Sequence, residues 1–112
     1  MKRKSTLLIG IVSMFFSHLA HSEAGWTDYV TVAELVPTSR HYYQFNLPVK
    51  KNPSGCKEAN WFYQNYNSHS SDKMFDSLLE AIKARLRLRV YVTGICNLDG
   101  YSEISSIGII PK

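Results

Sequence analysis

Residues 71–111 read SDKMFDSLLEAIKAR, LRLRVYVTG, ICNLDG and YSEISSIGIIP in order, and this stretch decides the fold. In the first run apolar side chains recur at the i, i+3, i+4 and i+7 spacing of one helix face, at Phe75, Leu78, Leu79 and Ile82. The second run alternates apolar and polar residues, which predicts a half-buried strand from Leu86 that ends at Gly94. A turn containing Asn, Asp and Gly leads into a last strand over 101–110. The order predicted here is helix, strand, turn, strand.

The ends and irregularities of these elements are also predicted. Ser71 or Asp72 is placed to cap the helix, because its side-chain oxygen can accept a hydrogen bond from a free amide of the first turn. In the last strand the step from Ile104 to Ile107 breaks strict alternation, which predicts a β-bulge near Ser105 and Ser106.

The first half of the domain alternates in the same way and predicts three strands, over 26–35, 41–47 and 61–66. The first two are expected to pair as a hairpin, with a turn over 36–40. The chain is therefore mainly β with one helix, in the order β-β-β-α-β-β, which is the order of a small OB-fold-like barrel. The alternative is an open α+β five-stranded sheet with one packed helix. The predicted core is Val30, Val32, Phe45, Leu47, Trp61 or Phe62, Phe75, Leu78, Leu79, Ile82, Leu88, Val90, Val92, Ile107 and Ile109.

The N-terminal segment has the three parts of a secretory signal peptide. Lys2, Arg3 and Lys4 are followed by an apolar run over 7–16, and small residues at Ala20 and Ser22 fit a cleavage site. The apolar run has ten residues, half of the ~20 that a membrane-spanning helix needs, which disfavours a membrane anchor. We therefore expect residues 1–22 to be a cleaved signal peptide, residues 23–112 to contain no membrane span, and the protein to be periplasmic or secreted.

Charge and cysteine content narrow the class of the remaining domain. Removing three of the 13 basic residues leaves ten against nine acidic ones, so the domain is nearly neutral and nucleic acid is not expected as a partner. Cys56 and Cys96 are the only cysteines, and a pair in an exported chain predicts one disulfide. Residues 23–112 are thus expected to form a single domain stapled by that disulfide.

Part of this stretch resembles a known family. Residues 74–84 lead into Leu-Arg-Val-Tyr-Val-Thr-Gly at 88–94, then Cys96, Gly100-Tyr101 and the spacing of Ile104 and Ile107. This pattern resembles a group of small exported bacterial proteins, and that group is similar to the binding subunit of subtilase cytotoxin. The resemblance covers about the last 40 residues. It implies an OB fold, and for the toxin subunit also a pentamer that recognises sialylated glycans. No sugar-contacting motif of that family is matched in the first half of this chain.

The sequence gives little support for an enzyme. After the signal peptide the only histidines are His41 and His69, and metal-spaced pairs, phosphate loops and nucleophile elbows are absent from the sequence. We predict a protein that is not an enzyme, with no catalytic residue, no metal and no cofactor. A small hydrolase with a polar cluster around His41 or His69 remains a weaker hypothesis.

Aromatic residues give the more informative signal. Tyrosine and tryptophan present a large apolar face with a polar tip, which suits sugar rings and protein interfaces. Their register is open, because Trp61 and Tyr63 face outward only if Phe62 faces the core. The predicted ligand-binding residues are Tyr42, Trp61, Tyr63, Asn65 and Tyr66, together with Arg87 and Arg89.

The arginines form a separate candidate. With Arg85, they are expected to make a positive stripe on the outward face of one strand, either to bind an anionic partner or to guard a sheet edge against aggregation.

These observations predict an exported, non-enzymatic binding module, resembling a toxin binding subunit, that recognises a glycan or a protein. A homo-oligomer is among the assemblies it predicts. The alternative is a structural or interaction protein of the bacterial envelope that has no small ligand.

Overall fold

The computed structural model describes residues 22–112, so all of the predicted signal peptide except Ser22 lies outside the described residues. The domain is mainly β with one helix, as predicted. Its elements are β1 Gly25–Trp26, β2 Glu34–Pro37, β3 Tyr42–Asn46, β4 Trp61–Asn65, α1 Ser71–Ala84, β5 Arg87–Asn97 and β6 Tyr101–Ile110. In this part of the chain no helix has both the length and the apolar character needed to cross a bilayer.

The six strands form one sheet in the order β1-β5-β6-β4-β3-β2. Strands β4 and β6 run parallel, and the other neighbours are antiparallel. Over residues 22–112 the ladder of strand pairs does not close, so the architecture matches the alternative prediction, an open sheet with one helix, better than a closed barrel.

The two edge strands, β1 and β2, come from one continuous segment, residues 25–37. The Thr27 amide donates to the Val90 carbonyl of β5 at 3.0 Å, and Val30 forms an isolated bridge to Leu88. The Ala33 amide instead donates at 2.9 Å to the carbonyl of Asn46, the last residue of β3. The single first strand predicted over 26–35 was therefore wrong, because the segment changes pairing partner halfway and its ladder breaks there.

The hairpin of β5 and β6 contains the predicted bulge. Tyr91 lies opposite Ser106 and Val92 opposite Ile104, which leaves Ser105 as the extra residue. The predicted end of the strand at Gly94 was wrong, since β5 continues to Asn97. The register of β5 and β6 shifts again between Val92 and Cys96, where Gly94 has a φ of +95°. Glycine adopts this φ without steric cost, so the strand continues beyond Gly94.

Helix α1 lies where the periodicity predicts it, but its N-cap and its buried face differ from the prediction. Ser70, not Ser71 or Asp72, is the N-cap, and it makes no side-chain cap hydrogen bond. The buried residues are Ser71, Leu78 and Ala81, with Met74 and Phe75 packed against the core. Leu79 and Ile82 were predicted in the core, but they are 39% and 37% exposed. The row that faces the sheet consists of Met74, Leu78 and Ala81, at the i, i+4 and i+7 spacing, so Leu79 and Ile82 lie on the row beside it.

The core lies between the helix and one face of the sheet. Its fully buried side chains are Tyr43, Phe45, Leu47, Phe62, Leu78, Ala81, Leu88, Val90, Val92 and Ile104. Of the two alternatives for β4, Phe62 lies in the core and Trp61 does not. Ile109, predicted in the core, is 38% exposed because it lies at the end of β6. The predicted core residues Val30, Val32, Phe75 and Ile107 pack against the cluster and are partly buried.

The disulfide between Cys56 and Cys96 is present, with a Cα–Cα distance of 5.5 Å. It joins the loop before β4 to the end of β5. The same loop is held by a buried hydrogen bond of 2.8 Å between the hydroxyls of Ser54 and Ser102. The Cys56 amide donates to Ser54 Oγ at 3.1 Å, so covalent and polar links act on the same short segment.

We expect the protein to lose stability at alkaline pH because of Tyr43. Its side chain is fully buried, its hydroxyl donates to Gln64 Oε1 at 2.8 Å, and burial raises its pKa above the ordinary value. The unfolded chain ionises Tyr43 near pH ~10, whereas the folded protein resists that ionisation. This contribution is therefore complete below that pH and is lost as the pH rises through the range between the unfolded and folded pKa, at about 1.4 kcal/mol per pH unit.

Urea unfolding at a series of pH values checks this expectation. Tyr43→Phe should be less stable at neutral pH by about 1–3 kcal/mol, because Gln64 loses a buried partner. Its stability should then fall less steeply above pH ~10 than that of the wild type. Parallel pH curves for the two proteins would refute the role of Tyr43.

Candidate functional site

The sheet face that points away from the core carries most of the predicted ligand-binding residues. Along β4, Phe62 and Gln64 face the core, so Trp61, Tyr63 and Asn65 face outward. Strand β3 adds Tyr42, because Tyr43 is in the core and neighbouring residues point to opposite faces. These four predicted residues share what we call the outer face, and Arg87 and Arg89, which alternate with core residues of β5, lie on it as well.

The most distinctive feature of the outer face is a pair of stacked rings, Trp61 and Tyr101, which we call the aromatic pair. Their ring centroids are 5.5 Å apart and their planes differ by 18°. The parallel pairing of β4 with β6 brings them together, since Phe62 lies opposite Ser102, the next residue on each strand. Both rings are partly exposed.

Amide side chains flank the aromatic pair on both sides. Asn46 of β3 lies opposite Trp61, and Asn97 of β5 lies opposite Tyr101. Residues opposite each other on neighbouring strands have side chains within contact range on the same face. Each ring therefore has a side-chain amide beside it, which supplies both a hydrogen-bond donor and an acceptor.

Tyr42 and Tyr63 form a second aromatic contact on the same face. Their centroids are 6.4 Å apart at an interplanar angle of 82°, an edge-to-face geometry. Asn65 lies opposite Tyr42. Tyr63 is only 2% exposed, so it supports Tyr42 from below and offers little surface of its own to a ligand.

The outer face also shifts the titration of its tyrosines. The pKa of Tyr101 is raised first by burial and then by the carboxylates of Glu58 and Asp99, with a smaller effect of Tyr42. The pKa of Tyr63 is raised by burial and by Glu103, while a hydrogen bond with the Asn97 side chain acts in the opposite direction. Both phenols therefore remain protonated donors at neutral pH.

Tyr66 does not join this group. Its hydroxyl donates to the Thr38 carbonyl at 2.7 Å and accepts from the Thr38 amide at 2.9 Å, which holds the loop between β2 and β3. Its ring contacts that of Tyr43, at a centroid distance of 6.0 Å. It lines a separate cleft of about 270 Å³ with Pro37, Ser71, Asp72, Phe75 and Asp76.

The arginines do not form a stripe of three. Arg85 ends helix α1 with a φ of 54°, so it precedes the strand. Arg87 is exposed on β5. The Arg89 guanidinium lies over two rings, 4.2 Å from the centroid of Trp26 and 4.9 Å from that of Tyr29, and its buried Nε has no hydrogen-bond partner. Arg89 of β5 therefore packs against β1 and the segment that follows it.

Several residues of the outer face were not predicted as ligand-binding. Tyr101 is the stacking partner of Trp61. Three amide residues lie opposite rings of this face, Gln44 opposite Tyr63, Asn46 opposite Trp61 and Asn97 opposite Tyr101. Glu103 lies opposite Tyr63 and accepts a hydrogen bond of 2.8 Å from Thr93. The signal for Gln44 and Asn46 was their alternation with core residues of β3, but nothing local indicates that β6 lies beside β4.

The chain matches no protein-family model, and no curated protein or solved structure is significantly similar to it. The resemblance to the binding subunit of subtilase cytotoxin therefore stays a prediction, as do export and homo-oligomer formation. Among residues 22–112, no three His, Cys, Asp or Glu side chains are grouped so that they could hold a metal ion.

Proposed function

We propose that this protein is an exported, non-enzymatic binding module that recognises a glycan on its outer face. The observation that supports this most directly is the aromatic pair, two partly exposed rings flanked by Asn46 and Asn97. A pyranose has apolar C–H faces and a rim of hydroxyls. An exposed ring covers the former, and neighbouring amides bind the latter.

The fold that we propose for this function is an OB-like barrel. Helix α1 follows the β2–β3–β4 meander and precedes the β5–β6 hairpin, and β4 and β6 pair in parallel. The segment over 25–37 supplies both edges of the sheet, as the bent first strand of a partly open barrel would. These features favour an OB-like topology over an arbitrary α+β sheet.

The position of the aromatic pair agrees with this fold. In OB folds the face of the second and third strands, with the loops beside it, binds oligonucleotides and oligosaccharides. If residues 25–37 count as one strand, the second and third strands are β3 and β4, which carry Tyr42 and Trp61. The near-neutral charge of residues 23–112 favours a sugar over a nucleic acid as the ligand.

We expect Trp61→Ala and Tyr101→Ala each to weaken glycan binding while the protein stays folded. Each change removes one ring of the aromatic pair, and stacking of one ring on a ligand contributes about 1–3 kcal/mol, or roughly 5- to 150-fold in affinity. The measurement is a glycan array with the purified, oxidised protein, followed by calorimetric titration of the best ligand.

The matched control is Leu79→Ala, which removes a similarly exposed apolar side chain from helix α1, away from the outer face. Its affinity should equal that of the wild type. Binding to no glycan, or unchanged binding in both ring variants, would contradict the proposed function.

One observation favours the alternative, an interaction protein of the envelope with no small ligand. Ile82, 37% exposed, lines a cleft of about 360 Å³ with Thr31, Val32, Ala81, Lys83 and Arg85. An exposed apolar side chain at the mouth of a cleft suits a protein partner. Co-purification of an envelope protein that Ile82→Ser releases and Trp61→Ala retains would support this alternative.

A further inference from the structure

Charged residues are unevenly distributed around the aromatic pair. Glu103 lies two residues after Tyr101 on the same face of β6, and Asp99 lies two residues before it in the turn. Glu58 approaches from the loop before β4, where its amide donates to the Gly100 carbonyl at 2.9 Å. Lys57 is the basic residue at this place, in contact range of Gly100. Three acidic residues and one basic residue thus lie close to Tyr101.

Two of these carboxylates act on the aromatic pair itself, and the third acts on Tyr63 beside it. Glu58 and Asp99 act on the Tyr101 phenol, and Glu103 acts on Tyr63, in each case in the direction that opposes a negative charge. The field of these carboxylates opposes any anion brought to the aromatic pair and favours a cation.

The basic residues of the outer face lie too far away to reverse this effect. Arg89 is eight residues before Asn97 on β5, which corresponds to roughly 25 Å along an extended strand. At physiological ionic strength exposed charges are largely screened beyond about 8 Å. Arg89 is also stacked between Trp26 and Tyr29. The two ends of the outer face therefore differ in charge.

We infer that the aromatic pair selects an amino sugar, whose C–H face packs on Trp61 or Tyr101 and whose protonated amine pairs with the carboxylates of Glu103, Asp99 and Glu58. This inference rests on the proposed function and names its ligand class. The Oε1 atom of Glu103 accepts from Thr93 at 2.8 Å, which orients this carboxylate while its remaining lone pairs stay available to a ligand. The same carboxylates would repel the negative charge of a sugar acid and weaken its binding.

The test compares three oligosaccharides of equal length by calorimetric titration of the full domain at pH ~6, where the amine of the sugar is protonated. The probes are an oligomer of glucosamine, its N-acetylated neutral counterpart and an oligomer of galacturonic acid. We expect the glucosamine oligomer to bind about five-fold more tightly than the neutral one, as one exposed ion pair provides, and the acid oligomer to bind least. Added salt should reduce the preference.

The matched variants separate this inference from the function on which it rests. The triple change Glu58→Gln, Asp99→Asn and Glu103→Gln should abolish the preference for the amine, whereas Asp76→Asn on helix α1 should alter neither that preference nor any of the three affinities. Tightest binding of the acid oligomer, lost in Trp61→Ala, would overturn the inference and leave the proposed function intact. Binding of no probe, or binding that does not require Trp61, would overturn both.

Discussion

Replacing both Cys56 and Cys96 by alanine will lower the free energy of unfolding by about 4 kcal/mol. The disulfide spans a sequence separation of 40 residues, and its loss returns the entropy of that loop to the unfolded chain. Stabilities of small domains are about 5–15 kcal/mol, so the variant will be close to half unfolded under mild stress. Urea unfolding of the variant and of the oxidised wild type measures the difference.

The wild type treated with reductant provides the control, and it should unfold at nearly the same urea concentration as the double variant. The hydrogen bond between Ser54 and Ser102 remains in both proteins, so the native loop keeps its place. A loss below about 1 kcal/mol would mean that the polar contacts alone fix this loop and that the covalent link adds little.

Phe62→Ala will destabilise the protein by about 3–5 kcal/mol. Phe62 is 0% exposed and stacks on Phe45 at a centroid distance of 5.5 Å, so its removal leaves a cavity in the centre of the core. The neighbouring Trp61→Ala removes a larger ring, yet it should cost no more than about half as much, because Trp61 lies on the outer face.

Circular dichroism during urea unfolding gives both values, and the ranking is the informative result. A greater loss for Trp61→Ala than for Phe62→Ala would place Trp61 in the core and remove the aromatic pair from consideration as a binding surface. The expected ranking would allow Trp61→Ala to be used as a folded, binding-deficient protein.

The features predicted correctly from the sequence are those that depend on neighbours along the chain. The bulge at Ser105 follows from the spacing of Ile104 and Ile107, because alternation in a strand permits no other reading of a three-residue step. The bounds of β6 and the position of helix α1 follow from periodicity in the same way. The cysteine pair was identified from its count and from the predicted export.

The features that were missed depend on contacts between distant residues. The aromatic pair joins residues 61 and 101, and nothing near either one indicates that β4 and β6 run side by side in parallel. Leu79 and Ile82 belong to an apolar row that is as good as the buried one, and only packing against the sheet decides between them. The partner change within residues 25–37 is likewise a tertiary effect.

Residues 25–37 form both edge strands of the sheet, since β1 pairs with β5 and β2 pairs with β3. If this segment detaches, β5 and β3 lose their outermost hydrogen-bonding partners in one step, and two sets of unpaired amides become accessible to other molecules. Resistance to strand exchange between copies of the protein thus resides near the N-terminus of the domain, where the Arg89 guanidinium, resting on Trp26 and Tyr29, keeps the segment in place.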